Sequence, residues 1–104
     1  MEIDGLGRFA DPAVLILTSL AGGPKHGYAL IKDVEAVAAV TLGPGTLYGA
    51  LQRLEERGLV AALPPEERRR PYRITANGAA ALREYLQHAQ AVARQGLRRL
   101  QAFA

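Results

Sequence analysis

A chain of 104 residues is long enough for one domain with a modest hydrophobic core and too short for two independent domains. Hydrophobic residues make up 49% of the sequence and charged residues 22%, which excludes the composition of a disordered chain and predicts a folded one. Cysteine is absent, so neither disulfides nor thiolate metal sites are expected, and the net charge of +3 favours a polyanionic partner.

The N-terminal ten residues carry Glu2 and Asp4 and lack the basic start of a secretion signal. The apolar run at residues 13–17 is far shorter than a membrane span. These features predict a cytoplasmic protein with no membrane contact.

The first half of the chain predicts two short helices. Asp11 followed by Pro12 is typical of an N-cap and a first helical position, and apolar residues recur at helical spacing until a Gly-Gly-Pro break. A helix is therefore expected over residues 12–21. A second, amphipathic helix is expected over residues 27–39.

A third helix is expected over residues 44–57, with Pro44 at its first position. Leu47, Leu51 and Leu54 recur at helical spacing and share one face, which we expect to be turned to the core. The opposite face is polar and contains two glycines. Its residues are Gly45, Gly49, Gln52 and Arg53, with Thr46 and Tyr48 at its edges.

A hairpin is expected after the third helix. Residues 59–63 favour a strand that the following two prolines end, and residues 72–74 alternate as a returning strand. The connection between these strands is basic. It contains Arg68, Arg69 and Arg70, and Arg73 follows in the second strand. An isolated arginine run is usually a solvated loop, but at the tip of a hairpin that follows such a helix it favours contact with DNA.

The rest of the chain predicts a single long helix with Thr75 as its N-cap. Its length of about 28 residues corresponds to on the order of 40 Å, more than three helices and a hairpin can cover. Part of its apolar stripe therefore requires another partner, and a second copy of the chain is the simplest one. The expected dimer interface consists of Leu82, Leu86, Ala89, Ala93, Leu97 and Leu100.

This order of elements predicts a mainly α fold with a two-stranded β wing, namely a winged helix-turn-helix with a long C-terminal dimerisation helix. Residues 1–75 are expected to form the DNA-binding part and residues 76–104 the dimerisation helix, within one structural unit. In such a fold the third helix enters the major groove of double-stranded DNA.

The candidate DNA-binding residues fall into two groups. Gln52 and Arg53 are candidates for reading base edges, while the amides that follow Pro44 and the wing arginines are candidates for holding phosphates. Tyr28, beside Gly27 at a helix start, is more typical of helix packing than of a phosphate contact, and it is kept as a candidate for the latter. The complete candidate set is Lys25, His26, Tyr28, Pro44, Gly45, Thr46, Tyr48, Gly49, Gln52, Arg53, Arg68, Arg69, Arg70, Tyr72 and Arg73.

Other classes of function find little support in the sequence. His26 and His88 stand apart from other metal-ligating residues, so no metal is expected. The chain lacks a glycine-rich phosphate loop after a strand and a cluster of acid, base and nucleophile, so neither enzymatic activity nor a cofactor is expected. The alternative that stays open is a winged helix used for protein interaction or dimerisation without DNA binding.

Several segments, taken in their order and spacing, resemble the PadR family of transcriptional regulators. They span most of residues 14–82, and they are GPKHGYAL at residues 23–30, LGPGTLYGAL at 42–51, RLE at 53–55, GLV at 58–60 and RRPYRITANG at 69–78. Gly43 departs from the serine that often precedes the proline of helix three in this family.

The resemblance implies a bacterial repressor that dimerises through its C-terminal helix and binds a pseudo-palindromic operator, from which a small effector releases it. The short tail resembles the single-helix subgroup, in which some members bind flat aromatic compounds in a cavity at the dimer interface. The chain has no tryptophan, so stacking of an effector on indole rings is excluded here.

Overall fold

Residues 11–103 are described by a computed structural model, and residues 1–10, on which the prediction of no secretion signal rests, lie outside them together with residue 104. The described part is mainly helical, with a small antiparallel sheet, which confirms the winged-helix prediction. In chain order the elements are α1 (Pro12–Ala21), β1 (Lys25–His26), α2 (Gly27–Ala38), α3 (Pro44–Glu56), β2 (Val60–Ala62), β3 (Pro71–Ile74) and α4 (Ala76–Gln101).

The helices α1, α3 and α4 begin at the positions that their capping residues and prolines predicted. The Asp11 carboxylate accepts a hydrogen bond from a first-turn amide at 2.8 Å, and Pro12 occupies the first helical position of α1. α3 likewise begins at Pro44. At α4, the Thr75 hydroxyl oxygen accepts from the Gly78 amide at 3.0 Å. Local chemistry alone therefore fixes these boundaries.

The wing contains one strand that the sequence did not predict. Lys25 and His26 form β1, which pairs antiparallel with β3, and β2 pairs with the other side of β3, so the strand order is β1-β3-β2. Lys25 lies opposite Tyr72, and His26 lies opposite Pro71. The prediction of two strands was incomplete because a two-residue strand is too short to show alternation.

The core lies between the first three helices, and the wing and the start of α4 close it. Its largest side chains that are at most 1% exposed are Ile16, Leu20, Leu30, Val34, Leu47 and Leu51. Two of these belong to the predicted inner face of α3. Burial of that face anchors the helix and leaves its opposite face toward solvent.

The last helix extends beyond the core. Leu82 is 6% exposed and packs in the core of its own chain, whereas residues 83–103 are all exposed. α4 has 26 residues, and the molecule measures 58 × 28 × 20 Å. Leu82, which was predicted to line a dimer interface, is thus buried within the protomer, and the free part of the apolar stripe begins at Leu86. Within residues 11–103, no helix combines the length and the apolar character needed to cross a membrane.

Candidate nucleic-acid interface

The outer face of α3 carries the polar residues that the sequence placed there. Gly49 on this face is half-buried, and the other predicted positions are exposed, namely Pro44, Gly45, Thr46, Tyr48, Gln52 and Arg53. Glu55 and Glu56 are also exposed, at the C-terminal end of the helix. Because these carboxylates repel phosphates, the N-terminal two-thirds of α3 is the part suited to DNA.

Two glycines keep this face of α3 open. A Cβ at Gly45 would meet no atom within 4 Å, and a Cβ at Gly49 would lie 3.6 Å from Nη1 of Arg53. The Arg53 guanidinium therefore lies back along the helix, over Gly49. This position brings its charge toward the N-terminal half, which is the end that contacts base edges in helix-turn-helix proteins.

The tip of the wing is a tight left-handed turn. Glu66 and Arg69 exchange two backbone hydrogen bonds, at 2.6 and 2.8 Å. The two residues between them, Glu67 and Arg68, have φ values of 46° and 73°. Positive φ at both central positions is the pattern of a type I′ hairpin turn, which glycine and asparagine prefer. The backbone of Glu67 and Arg68, at the arginine-rich tip of the wing, is therefore strained.

His26 connects the wing to α2. Its Nδ1 accepts a hydrogen bond from the Ala29 amide at 3.4 Å, so the ring caps α2, and its Nε2 lies 3.2 Å from Nη1 of Arg69. A neutral imidazole has one acceptor nitrogen, and both neighbours are donors. A neutral imidazole at position 26 therefore accepts a hydrogen bond from only one of these two donors at a time.

A polar cavity of about 260 Å³ lies between the start of α2, the side of α3 and the wing. Its walls combine three guanidinium groups, an imidazole and two phenols. They are formed by His26, Gly27, Tyr28, Tyr48, Arg68, Arg69 and Arg70. Among residues 11–103 the only salt bridge joins Lys25 and Asp33, so the wing arginines have no carboxylate partner in the described part of the chain. The cavity is a concentration of unpaired positive charge.

Lys25 has a different environment from the wing arginines. Its ammonium donates hydrogen bonds to the carbonyls of Ser19 at 2.5 Å and Gly23 at 3.2 Å, and it lies 3.9 Å from the Asp33 carboxylate. The same carboxylate accepts from the buried Ser19 hydroxyl at 2.6 Å. Lys25 thus fastens the end of α1 to α2, and a phosphate contact would require it to leave this network.

Two further tyrosines of the candidate set differ in exposure. Tyr28 is 64% exposed, and the ammonium of Lys32, a residue that sequence reasoning did not select, lies 5.7 Å from its ring centroid. Tyr72 is half-buried, and burial raises the pKa of its phenol above the ordinary value, with Glu55 adding to the shift. Tyr72 packs against the hydrophobic core, whereas Tyr28 is open to a partner.

The predicted dimer stripe of α4 is exposed beyond its first turns. Leu86 is 43% exposed, and Leu97 and Leu100 are each 66% exposed. At 100° per residue the stripe is wider than predicted, since it also includes two large side chains that the sequence analysis left out. These are Tyr85 and Val92, which are 46% and 59% exposed, and Phe103, 80% exposed, follows the end of the helix. So much apolar surface on a protruding helix is typical of an interface.

A winged helix that exposes a polar third helix beside an arginine-rich wing is a DNA-binding regulator. Residues 16–84, more than half of the chain, match the model of the transcriptional regulator PadR-like family. The chain therefore belongs to the PadR family, as the sequence motifs predicted. This family and its structural neighbours are transcription regulators, which confirms the prediction that the chain is not an enzyme.

Solved structures show the same fold. A PadR family transcription regulator from Clostridium difficile aligns with a TM-score of 0.77 at 26% identity, over 86% of this chain and 97% of that one. A PadR family transcriptional regulator from Eggerthella lenta aligns with a TM-score of 0.70 at 32% identity, over 88% and 82% of the two chains.

A curated relative matches in sequence over a shorter stretch. An uncharacterized 37.1 kDa protein in transposon TN4556 of Streptomyces fradiae is 48% identical over 71 residues, which cover 68% of this chain. The match spans 21% of that protein, so the chain corresponds to about a fifth of the relative's length.

Proposed function

We propose that this PadR-family regulator represses transcription by binding a pseudo-palindromic operator as a homodimer. One observation carries the proposal: the open polar face of α3 lies beside a wing whose three arginines lack carboxylate partners among the described residues. A surface of that kind attracts a polyanion, and its helix has the width that a major groove accepts.

Base reading is assigned to Gln52 and Arg53. Glutamine pairs in two hydrogen bonds with adenine and arginine with guanine, and each such pair contributes about 1–3 kcal/mol of discrimination. The open space at Gly45 supports this assignment because it allows the helix to lie close to the bases. The position of the Arg53 guanidinium over Gly49 supports it because the charge then lies toward the N-terminal half of α3.

Phosphate contacts are assigned to the surface that surrounds the α3 face. The wing supplies Arg68, Arg69 and Arg70, and Arg73 is exposed on β3. Tyr28 and the amides at the start of α3 supply hydrogen-bond donors. These groups are proposed to set the register on the duplex and the affinity, without selecting its sequence.

Dimerisation is assigned to the exposed stripe of α4. A two-fold pair of chains would bury Leu86, Leu97 and Leu100 against their copies, and it would present two α3 helices to major grooves about 34–36 Å apart. Repression follows if the bound dimer blocks access of polymerase to a promoter.

Release is assigned to a small apolar effector. A groove of about 420 Å³ lies at the start of α4, within the size range of small-molecule sites. Its apolar lining favours a flat aromatic compound, and it includes Ala21, Ile74, Leu82 and Leu86. A ligand there would displace α4 and change the spacing of the two DNA-binding units.

The proposal is tested by selecting bound duplexes from a random DNA pool and measuring affinity for the selected sequence at several salt concentrations. Arg53→Ala is expected to weaken binding and to relax selectivity. The pair Arg69→Gln and Arg70→Gln is expected to weaken all duplexes similarly and to lower the salt slope by about one for each arginine that no longer neutralises a phosphate.

The matched control is the pair Arg94→Gln and Arg98→Gln, which removes the same charge from the exposed helix α4, far along the chain from the wing. This control should keep both selectivity and salt slope. Failure of the unmodified protein to enrich any sequence at any salt concentration would instead support a protein-interaction module. If the α3 variant and the wing variant change selectivity and salt slope equally, the roles assigned to Arg53 and to the wing arginines are wrong.

A further inference from the structure

The first residue of α2 contacts the side chain of a tyrosine on α3. Gly27 is buried, and a Cβ built on it would overlap the Tyr48 hydroxyl oxygen and lie 2.8 Å from Cζ of that ring. The hydroxyl end of Tyr48 therefore occupies the space that any side chain at position 27 would need.

The backbone gives no reason for a glycine at this position. Gly27 is the first residue of a helix and does not belong to the glycines with positive φ, which among the described residues are Gly23 and Gly58. A glycine within a helix costs about 0.5–1 kcal/mol relative to alanine. The position of the Tyr48 side chain therefore explains why position 27 is a glycine.

This contact places Tyr48 at the cavity under the wing. The ring is 51% exposed, and it lines the 260 Å³ cavity together with the three wing arginines. A phenol hydroxyl donates one hydrogen bond, and each guanidinium donates several. The group that accepts from a phenol and from arginines at once is an oxyanion, and a phosphate has the required number of acceptor oxygens.

We propose that Gly27 is a positioning residue: it lets the Tyr48 hydroxyl lie beside Arg68, Arg69 and Arg70, so that α3 and the wing hold the same phosphate. The inference rests on the proposed function, because in the complex this phosphate belongs to the DNA backbone. Its consequence is that the recognition helix and the wing bind as one unit.

The space at Gly27 also makes the inference testable. The group that a new methyl would displace is the end of an exposed side chain, not backbone, so Gly27→Ala is expected to fold and to move the Tyr48 ring away. Gly78 differs in this respect, since a Cβ there would overlap the backbone carbonyl oxygen of Leu59.

The experiment is a double-mutant cycle of Gly27→Ala and Tyr48→Ala, read as affinity for the selected duplex and as salt slope. Each single variant is expected to bind about tenfold more weakly, which is typical of losing one hydrogen bond to a charged group, and to keep the wild-type salt slope, because neither change removes a cation. In the Tyr48→Ala background, Gly27→Ala should change affinity less than twofold. Tyr48→Phe should reproduce the loss, because it removes only the hydroxyl.

Two results would overturn the inference. Gly27→Ala could bind like the wild type, or it could be equally harmful in the Tyr48→Ala background. If the wild-type protein selects no DNA, the proposed function fails, and titration with inorganic phosphate decides the inference separately. The inference is supported if added phosphate shifts the NMR signals of the Tyr48 ring in the wild type but not in Gly27→Ala. It is refuted if the shifts are equal in the two proteins or absent from both.

Discussion

Replacing Gly78 with alanine tests how closely α4 is fitted to the wing. Gly78 is buried in the first turn of α4, and a Cβ there would overlap the carbonyl oxygen of Leu59 and lie 2.9 Å from Cγ1 of Ile74. That carbonyl also accepts a hydrogen bond from the Thr75 amide at 3.1 Å. The helix must therefore move away from the strands to accept a methyl group.

The expected sign follows from two opposing effects. Alanine is favoured over glycine in a helix by about 1 kcal/mol. Against this gain, overpacking costs about 1–3 kcal/mol, and weakening the Thr75 hydrogen bond costs about 1 kcal/mol. The net result expected for Gly78→Ala is a free energy of unfolding lower by roughly 1–3 kcal/mol.

The matched control is Gly45→Ala, also in the first turn of a helix but facing open space. It is expected to raise the free energy of unfolding by up to about 1 kcal/mol. Urea unfolding followed by circular dichroism measures both variants, at one protomer concentration because the proposed dimerisation would add concentration-dependent stability. A Gly78→Ala protein as stable as the wild type would refute the close fit between α4 and Leu59.

Three further predictions follow from the described geometry. Leu97→Glu should shift the protein toward monomer in sedimentation equilibrium, whereas Gln95→Glu, off the apolar stripe, should not; equal masses would remove Leu97 from the interface. Because burial raises the pKa of Tyr72, the folded state binds this proton more tightly, so stability should fall as pH rises above about 10. Tyr72→Phe should lack this loss of stability. If the free energy of unfolding depends on pH in the same way in the wild type and in Tyr72→Phe, the prediction is wrong. Combining Glu67→Asn with Arg68→Gly relieves two positive φ values and should raise the free energy of unfolding by about 1–2 kcal/mol while weakening DNA binding; an unchanged melting temperature would argue against strain in the wing.

The features that the sequence predicted well are those set by local chemistry. The cap at Asp11 and the prolines at positions 12 and 44 fix where two helices begin, and the spacing of apolar residues fixes the inner face of α3. These signals act within a few residues of each other. For that reason they survive in a single sequence without knowledge of the tertiary structure.

The features that the sequence did not predict depend on distant residues. β1 exists only because β3 arrives beside it from more than forty positions further along the chain. The sequence predicted Lys25 as a DNA-binding residue and gave no sign of its partners within the chain, which are the Ser19 carbonyl and the Asp33 carboxylate. The spacing of Leu82 and Leu86 predicted that both belong to one dimer stripe, but Leu82 is buried in the core and Leu86 is exposed. In each case the deciding partner is set by packing and not by spacing.

The junction between the wing and α4 indicates how the proposed dimerisation would set the spacing of the two DNA-binding helices. The Leu59 amide donates to the Leu54 carbonyl at 2.9 Å, at the end of α3, and the Leu59 carbonyl accepts from Thr75 at 3.1 Å. The Thr75 hydroxyl donates in addition to the Gly58 carbonyl at 2.7 Å. One short segment therefore links α3, the wing and α4, so α4 leaves the domain in a fixed direction and not as a hinged tail. In a dimer, the distance between the two α3 helices would then be set by how the α4 helices cross, and a ligand in the adjacent groove would change affinity for DNA by changing that crossing.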